Sequence, residues 1–264
     1  MNQYKIISIL YIFFLLLPRL FSQQSEWNKI PDYTGEHLEY TISYSFIRAG
    51  NAYINFKEDS LSSDYHIYAF SKTIGLADIL YRIRDIYECY MNAQTGLPRL
   101  GIRNVREGSY RQYNEVQFDH DSRPDSTIVT SQLTGVHVVP KNIFDILSGF
   151  YYFRKNYVPE QLNEKDTILI KTYFTDEVWD LQIRYAKRET VKTQIGKIAC
   201  LRFDPVTEIG RAFKTQNDMS VWFSDDANRV PVKIYLNLVV GSVKVELTSY
   251  SGLKYKFSSL IPRN

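Results

Sequence analysis

Two cysteines and four histidines in 264 residues are too few for a disulfide-stapled small scaffold or a His/Cys-rich metal module. A formal charge of only +3 lacks the basic excess that a phosphate-backbone binder needs, which argues against nucleic acid as a partner. The chain has no Gly-x-Ser-x-Gly elbow, no phosphate-cradling glycine-rich loop with lysine and no His-Glu-x-x-His. The common nucleophile, nucleotide and zinc-hydrolase signatures are therefore absent, and no cofactor is expected. His37, His66, His120 and His137 are scattered, none at metal-ligand spacing from another His or Cys. Beyond the N-terminal leader no stretch approaches the ~20 consecutive apolar residues of a spanning helix. Nor does any segment repeat at a fixed period, as a propeller or solenoid would require.

What is present begins with that leader. Lys5 precedes an apolar run from Ile6 to Leu17, and Leu20-Phe-Ser22 follows, the layout of an export signal cut near Ser22. Losing Lys5 and Arg19 with no acidic residue takes the charge from +3 to +1. The expected product is exported to the periplasm or envelope, with no transmembrane segment. Residues 23–34 read as an irregular lead-in, 35–252 as one β domain without a Pro/Gly/Ser-rich linker, and 253–264 as a C-terminal tail.

The body of the chain is rich in tyrosine (21) and phenylalanine (15), residues suited to sheets with one wet face. Leu38, Tyr40, Ile42, Tyr44 and Phe46 alternate with His37, Glu39, Thr41, Ser43 and Ser45, a half-buried strand. Similar runs follow at 51–56, 65–70, 83–90, 97–105, 110–118, 166–174 and 178–185, and the stretch from Gly196 to Tyr250 reads as a meander of hairpins. Two helices interrupt the strands. Leu76, Ile79, Leu80 and Ile83 fall at i, i+3, i+4 and i+7, which predicts a short helix from Gly75 to Tyr81. The second is expected from Asn142 to Lys155, capped by Asn142, with Ile143, Leu147, Phe150, Tyr151 and Arg154 on one stripe. The fold class is β-dominated: a strongly curved antiparallel sheet or open barrel of about twelve strands, covered by the helix near 142–155.

Several segments resemble, in order and over nearly the whole chain, the uncharacterised exported family known as domain of unknown function 3108. They include Gly35-Glu-His-Leu-Glu-Tyr40, Arg84-Asp-Ile-Tyr-Glu88, Arg106-Glu-Gly108, Asp145-Ile-Leu-Ser-Gly-Phe-Tyr-Tyr152, Phe174-Thr-Asp-Glu-Val-Trp179 and Trp222-Phe-Ser-Asp-Asp-Ala-Asn-Arg-Val-Pro231. More distantly, the Gly196–Cys200 strand and the Trp222–Pro231 hairpin resemble the lipoprotein-carrier and lipoprotein-receptor folds of the bacterial envelope. That likeness implies a curved sheet closed by helices around an apolar cavity.

Three charged clusters interrupt apolar surroundings: Arg82, Arg84 and Asp85; Arg106 and Glu107; Arg211 and Lys214. Converging at a cavity mouth they would hold an acidic head group, whereas on a wet sheet face they would form ordinary cross-strand ion pairs. Candidate ligand-binding residues are Arg84, Asp85, Arg106, Glu107, Asp176, Trp179, Arg211 and Trp222. Cys89 and Cys200 either close a disulfide, contributing roughly 4–5 kcal/mol by loop closure, or stay as buried free thiols. The leading functional reading is non-enzymatic binding of a lipid or other apolar envelope molecule. The alternatives are an envelope scaffold that binds another protein, and a glycan or peptidoglycan hydrolase using paired carboxylates such as Asp176 with Glu177 or Asp225 with Asp226.

Overall fold

In the computed structural model, residues 32–262 are described, apart from 61, 63, 158 and 208–212. The expected export segment and Arg211 lie outside the described residues. Eight strands come first: β1 (His37–Tyr44), β2 (Ile47–Glu58), β3 (Tyr65–Thr73), β4 (Arg84–Met91), β5 (Pro98–Glu107), β6 (Tyr110–Asp119), β7 (Ser126–Ser131) and β8 (Gly135–Pro140). Helix α1 (Gly75–Leu80) joins β3 to β4. Helix α2 (Ile146–Asn156) then leads to β9 (Thr167–Phe174), β10 (Glu177–Lys192), β11 (Gly196–Pro205), β12 (Met219–Ser224), β13 (Pro231–Asn237), β14 (Ser242–Ser251) and β15 (Leu260–Pro262).

All fifteen strands among the described residues belong to one sheet, ordered β8-β7-β6-β5-β4-β3-β2-β1-β14-β13-β12-β11-β10-β9, with β15 paired to β11. Every strand pairing is antiparallel, and each joins strands adjacent in sequence except β1 with β14 and β11 with β15. The sheet curls until its edges approach. After β8 the chain crosses to β9, where Phe144 N–H donates to Lys171 O (3.0 Å) and Tyr173 N–H to Phe144 O (2.7 Å). The result is a nearly closed barrel.

Fifteen strands exceed the expected twelve for identifiable reasons. The β7–β8 hairpin buries Thr127 and Ser131 beside Val129, so its inward side is half polar and carries little apolar alternation. Strand β10 works against that excess, running unbroken for 16 residues with a bulge between Tyr185 and Lys187. Strand β15 is only three residues long.

Helix α2 starts later than expected. Asn142 has φ of 58° and belongs to the preceding turn. Asp145 is the true cap, forming a reciprocal box in which Ser148 N–H donates to Asp145 Oδ1 (2.7 Å) and Asp145 N–H to Ser148 Oγ (3.0 Å). Gly149 lets the helix lie directly on β9, because a Cβ there would sit 3.2 Å from Thr172 Cγ2.

The inward stripe of α2 fills one end of the barrel. Phe153 packs edge-on against Phe203, with Phe223 and Tyr157 alongside, and Tyr151 meets Phe56 and Tyr33. Arg154 is 0% exposed. It grips the Glu36 carboxylate through two hydrogen bonds of 2.7 Å, donates from Nε to Arg229 O (3.0 Å) and stacks over the Tyr33 ring at 4.2 Å. Tyr151 Oη donates to the same carboxylate (2.9 Å). Glu36 precedes β1 and Arg229 lies in the β12–β13 turn, so α2 is tied to the two strand groups that meet at the sheet's centre.

Removing one partner of such a pair strands the other charge in the core, at a cost of about 3–5 kcal/mol, whereas replacing both with apolar side chains is often nearly neutral. Arg154→Met alone should therefore lower stability by an amount in that range. Glu36→Leu combined with Arg154→Met should lose less than the two single changes summed, as read by urea denaturation.

Candidate functional site: a hollow above the helix

Above α2 the barrel is not filled. A hollow of about 190 Å³ is bounded by Tyr40, Ile54, Ile234 and Val245, with Phe150 of α2 on its helix side. It exists because adjacent strands carry small side chains at the same level. Ala52 pairs with Ser71, and Ala69 with Ile54, on β2 and β3, whereas one level nearer the helix Phe56 and Ile67 are fully packed. Its lining is predominantly apolar, with polar groups at one wall: Ser71, Asp85 and Tyr87.

That wall joins the first two charged clusters seen in the sequence. Residue Ile83 bridges to Glu107, and Gly108 N–H donates to Arg82 O (2.8 Å), which lays the start of β4 along the β5–β6 turn. Gly108 has φ of 57°, and a Cβ there would lie 2.7 Å from the Tyr81 ring, so only glycine suits the contact. Asp85 points inward and accepts from Arg106 N–H (2.9 Å). Burial first, and then the neighbouring Asp85 carboxylate with which it shares a hydrogen bond, push the Glu107 carboxyl above its usual range. Arg103, two steps along the inner face of β5 past Val105, pulls the other way. Burial raises the Tyr87 phenol, and Arg103 opposes that shift as well.

Arg103 also connects this wall to a second, smaller hollow of about 50 Å³. Its guanidinium lies 5.5 Å from the Phe174 ring centroid, and its Nε is buried without a hydrogen-bond partner. Phe174 and Asp176 arrive on the β9–β10 hairpin. Its two-residue turn, Thr175 and Asp176, has φ of 52° and 62°, the left-handed pair that matches strand twist. The turn aims Asp176 at Asn114 of β6, whose Nδ2 donates to both carboxylate oxygens at 3.2 and 3.3 Å.

The other sequence candidates go elsewhere. Arg84 is bound by Asp78 through two contacts of 2.7 and 3.2 Å, and Arg106 turns outward to Asn104. Trp179 donates to Phe174 O (3.0 Å) and braces the hairpin. Trp222 lies on the face of β12 opposite α2, donating to Glu189 (2.8 Å) beneath Arg202 and Lys233. Lys214 lies in the β11–β12 connection, its N–H donating to Asp218. Asp176 faces the interior while Glu177 is exposed, so they are not a working pair. Asp225 is held by Arg188, and Asp226 ties Ser224, Asn228 and Ser259 together. Cys89 and Cys200 are both buried free thiols on strands separated by six others. Burial pushes Cys200 up to about 12 and Cys89 well above its ordinary value. Among the described residues no three His, Cys, Asp or Glu side chains gather as metal ligands would.

Sequence reasoning missed Arg103, Tyr87 and Asn114. Parity was the available signal, since Gly101, Arg103 and Val105 share one face of β5. A larger concavity of about 770 Å³ lies between the β4–β5 and β6–β7 turns, lined by groups such as Asn92, Gln94, Arg99, Asp119 and His120. Its polar lining sets it apart from the barrel interior.

A carboxyl whose folded pKa is raised favours the protonated fold, so its contribution is greatest below the unfolded pKa and is lost as pH rises through the folded one. Carbon-detected NMR should place the Glu107 midpoint above the ordinary glutamate value, and Asp85→Asn should bring it down. Glu107→Gln should remove the corresponding loss of stability with rising pH.

Comparison with known proteins places this geometry. No curated protein matches the chain. A crystal structure of a beta-barrel-like protein of domain of unknown function DUF1849 from Brucella abortus is similar at a TM-score of 0.58 and 11% identity, covering 84% of this chain and 99% of that one. At that identity the likeness speaks for the shared barrel-like fold alone. Residues 39–248 match the family described as Protein of unknown function (DUF3108), and the chain belongs to that family.

Proposed function

We propose that this is an exported, non-enzymatic envelope protein that holds an apolar or amphipathic molecule in the hollow above α2. The observation that carries this reading is the hollow itself: apolar on most sides, stopped by Phe150 on one side, and kept open by Ala52, Ala69 and Ser71. Packed interiors rarely leave such space, and an apolar cavity of about 150 Å³ suffices to take a benzene-sized guest. The guest is the tail of a lipid or a similar small apolar group, and the polar wall of Asp85, Glu107, Tyr87 and Arg103 fixes its polar end. The N-terminal leader and the distant likeness to lipoprotein carriers support the same location and ligand class.

A second reading has its own observation. Strand β8 ends the sheet order, and its Val136 and Val138 are exposed, an edge that another protein's strand would extend.

Phenylnaphthylamine fluorescence tests the first reading. The wild-type protein should bind the dye and release it to dodecanoic acid. Ala69→Phe should weaken binding about tenfold, some 1.4 kcal/mol, while leaving the melting temperature close to wild type. No dye binding, with no lipid extracted from natively purified protein, would sink the idea. A stoichiometric protein partner recovered instead would favour the β8 edge.

A further inference from the structure

In an antiparallel meander, alternate turns share one end. The β1–β2, β3–β4, β5–β6, β7–β8, β9–β10, β11–β12 and β13–β14 connections therefore emerge together, and the β2–β3, β4–β5, β6–β7, β10–β11 and β12–β13 connections emerge at the other end. Helix α2 fills that second end, because its partners Glu36, Phe56 and Arg229 all lie there. The two ends differ sharply in chemistry. At the helix end, none of the described turn residues is a large exposed hydrophobic. At the opposite end, the β1–β2, β3–β4 and β13–β14 turns present several, and the β7–β8 turn adds Leu133. Phe46 is 93% exposed and Ile79 is 82% exposed; Leu76, Leu80 and Val240 stand out from the same rim.

Helix α1 states the anomaly most clearly. Its apolar stripe predicts a buried face, yet none of its residues is buried. It is fixed in place by polar contacts instead: Asp78 accepts from Thr73 Oγ1 (2.7 Å) and from Arg84 (2.7 Å). Exposing the stripe is thus the arrangement the loop is built to hold, and contiguous exposed apolar surface of this kind marks a contact site.

We infer that this rim docks on the surface of a lipid bilayer carrying anionic head groups. Two features select a bilayer over a protein groove. The apolar tips come from three loops that neighbour one another along one arc of the rim, an open row that suits a flat, deformable surface. Arginines are interleaved with them: exposed Arg82 lies in the β3–β4 connection, and exposed Arg48, Arg106 and Arg111 lie on the strand ends beside the β1–β2 and β5–β6 turns. Of the nearby acids, Asp78 is held at 2.7 Å by Arg84 and lies 3.6 Å from Arg82, and Glu107 shares a hydrogen bond with Asp85. Apolar tips reaching the acyl boundary beside long cationic side chains at head-group level is the pattern of interfacial binding. The reading of the hollow is separate from this one: the rim's affinity for membrane does not depend on whether the barrel holds a guest.

Co-sedimentation with vesicles of phosphatidylglycerol and phosphatidylcholine, compared with phosphatidylcholine alone, provides the test. Binding to the anionic vesicles should be about tenfold tighter and should fall as salt is raised. Phe46→Ser with Ile79→Ser should reduce it about tenfold with an unchanged melting curve and unchanged dye binding, and Arg82→Glu with Arg111→Glu should abolish the preference for anionic lipid. Absence of wild-type binding to either vesicle, or serine variants that bind like wild type, would overturn the inference. So would a solution dimer that the same serine substitutions dissociate, since the rim would then be a self-interface.

Discussion

The arrangement depends on one buried ion pair. A guanidinium and a carboxylate taken out of water together lose hydration that only close, saturated geometry restores. Arg154 and Glu36 supply that geometry: two parallel hydrogen bonds, a third to the carboxylate from Tyr151, and backbone carbonyls of Asn228 and Arg229 for two more of the guanidinium protons. The rings of Tyr33, Tyr151 and Phe150 crowd the guanidinium at 4.2, 4.8 and 5.7 Å and oppose slippage by a helical turn. An apolar stripe alone would let α2 slide or rotate in the barrel, whereas this fork admits one register.

Fixing the helix fixes where the interior is full and where it is not. On the helix side, aromatic rings from α2, β2, β11 and β12 interlock at the density of a packed core. Beyond Phe150 the strands carry alanine and serine where bulk would be needed, and the charged wall of β4 and β5 replaces apolar filling. The polar groups there are partly satisfied by one another and partly left strained in charge, with Glu107 held toward its neutral form by burial and by Asp85. That combination is costly in a pure scaffold, and it is the ground for the proposal that the interior holds a guest.

Much of this was written in local pattern. Strand β1, the meander from β11 to β14 and the tight turn at Thr175 and Asp176 follow from alternation and turn chemistry, and the position of α2 follows from its stripe. The family likeness lay in segments that, apart from Gly35 to Leu38, the family match spans. Other features were hidden for physical reasons. The β7–β8 hairpin buries threonine and serine, so period-2 hydrophobicity fades. Asn142 looked like a cap because residue type alone does not reveal a left-handed φ, and Asp145 hides its capping role inside a helical stripe. The convergence of Asp85 with Glu107 depends on strands more than twenty residues apart being in register, which composition does not encode. Arg154 sat on the predicted stripe as an apparent intruder, and it proved to be the stripe's anchor. Ile79 and Leu80 misled in the opposite sense: amphipathic spacing says that a face is distinct, not what it touches.

The pairing of β1 with β14 gives the chain an unusual order of assembly. Nearly all other ladders are closed by short turns, so they form cheaply and in sequence as the polypeptide lengthens. The central seam cannot: it joins strands from opposite ends of the described chain. The first wing therefore grows outward from β1, which waits for its partner, the second grows inward from β9 and ends on β14, and the connecting helix meets Glu36 on the early wing and Arg229 on the late one. Zipping that one seam turns two floppy aprons into a single vessel, making the last long strand the clasp on which cooperative folding turns.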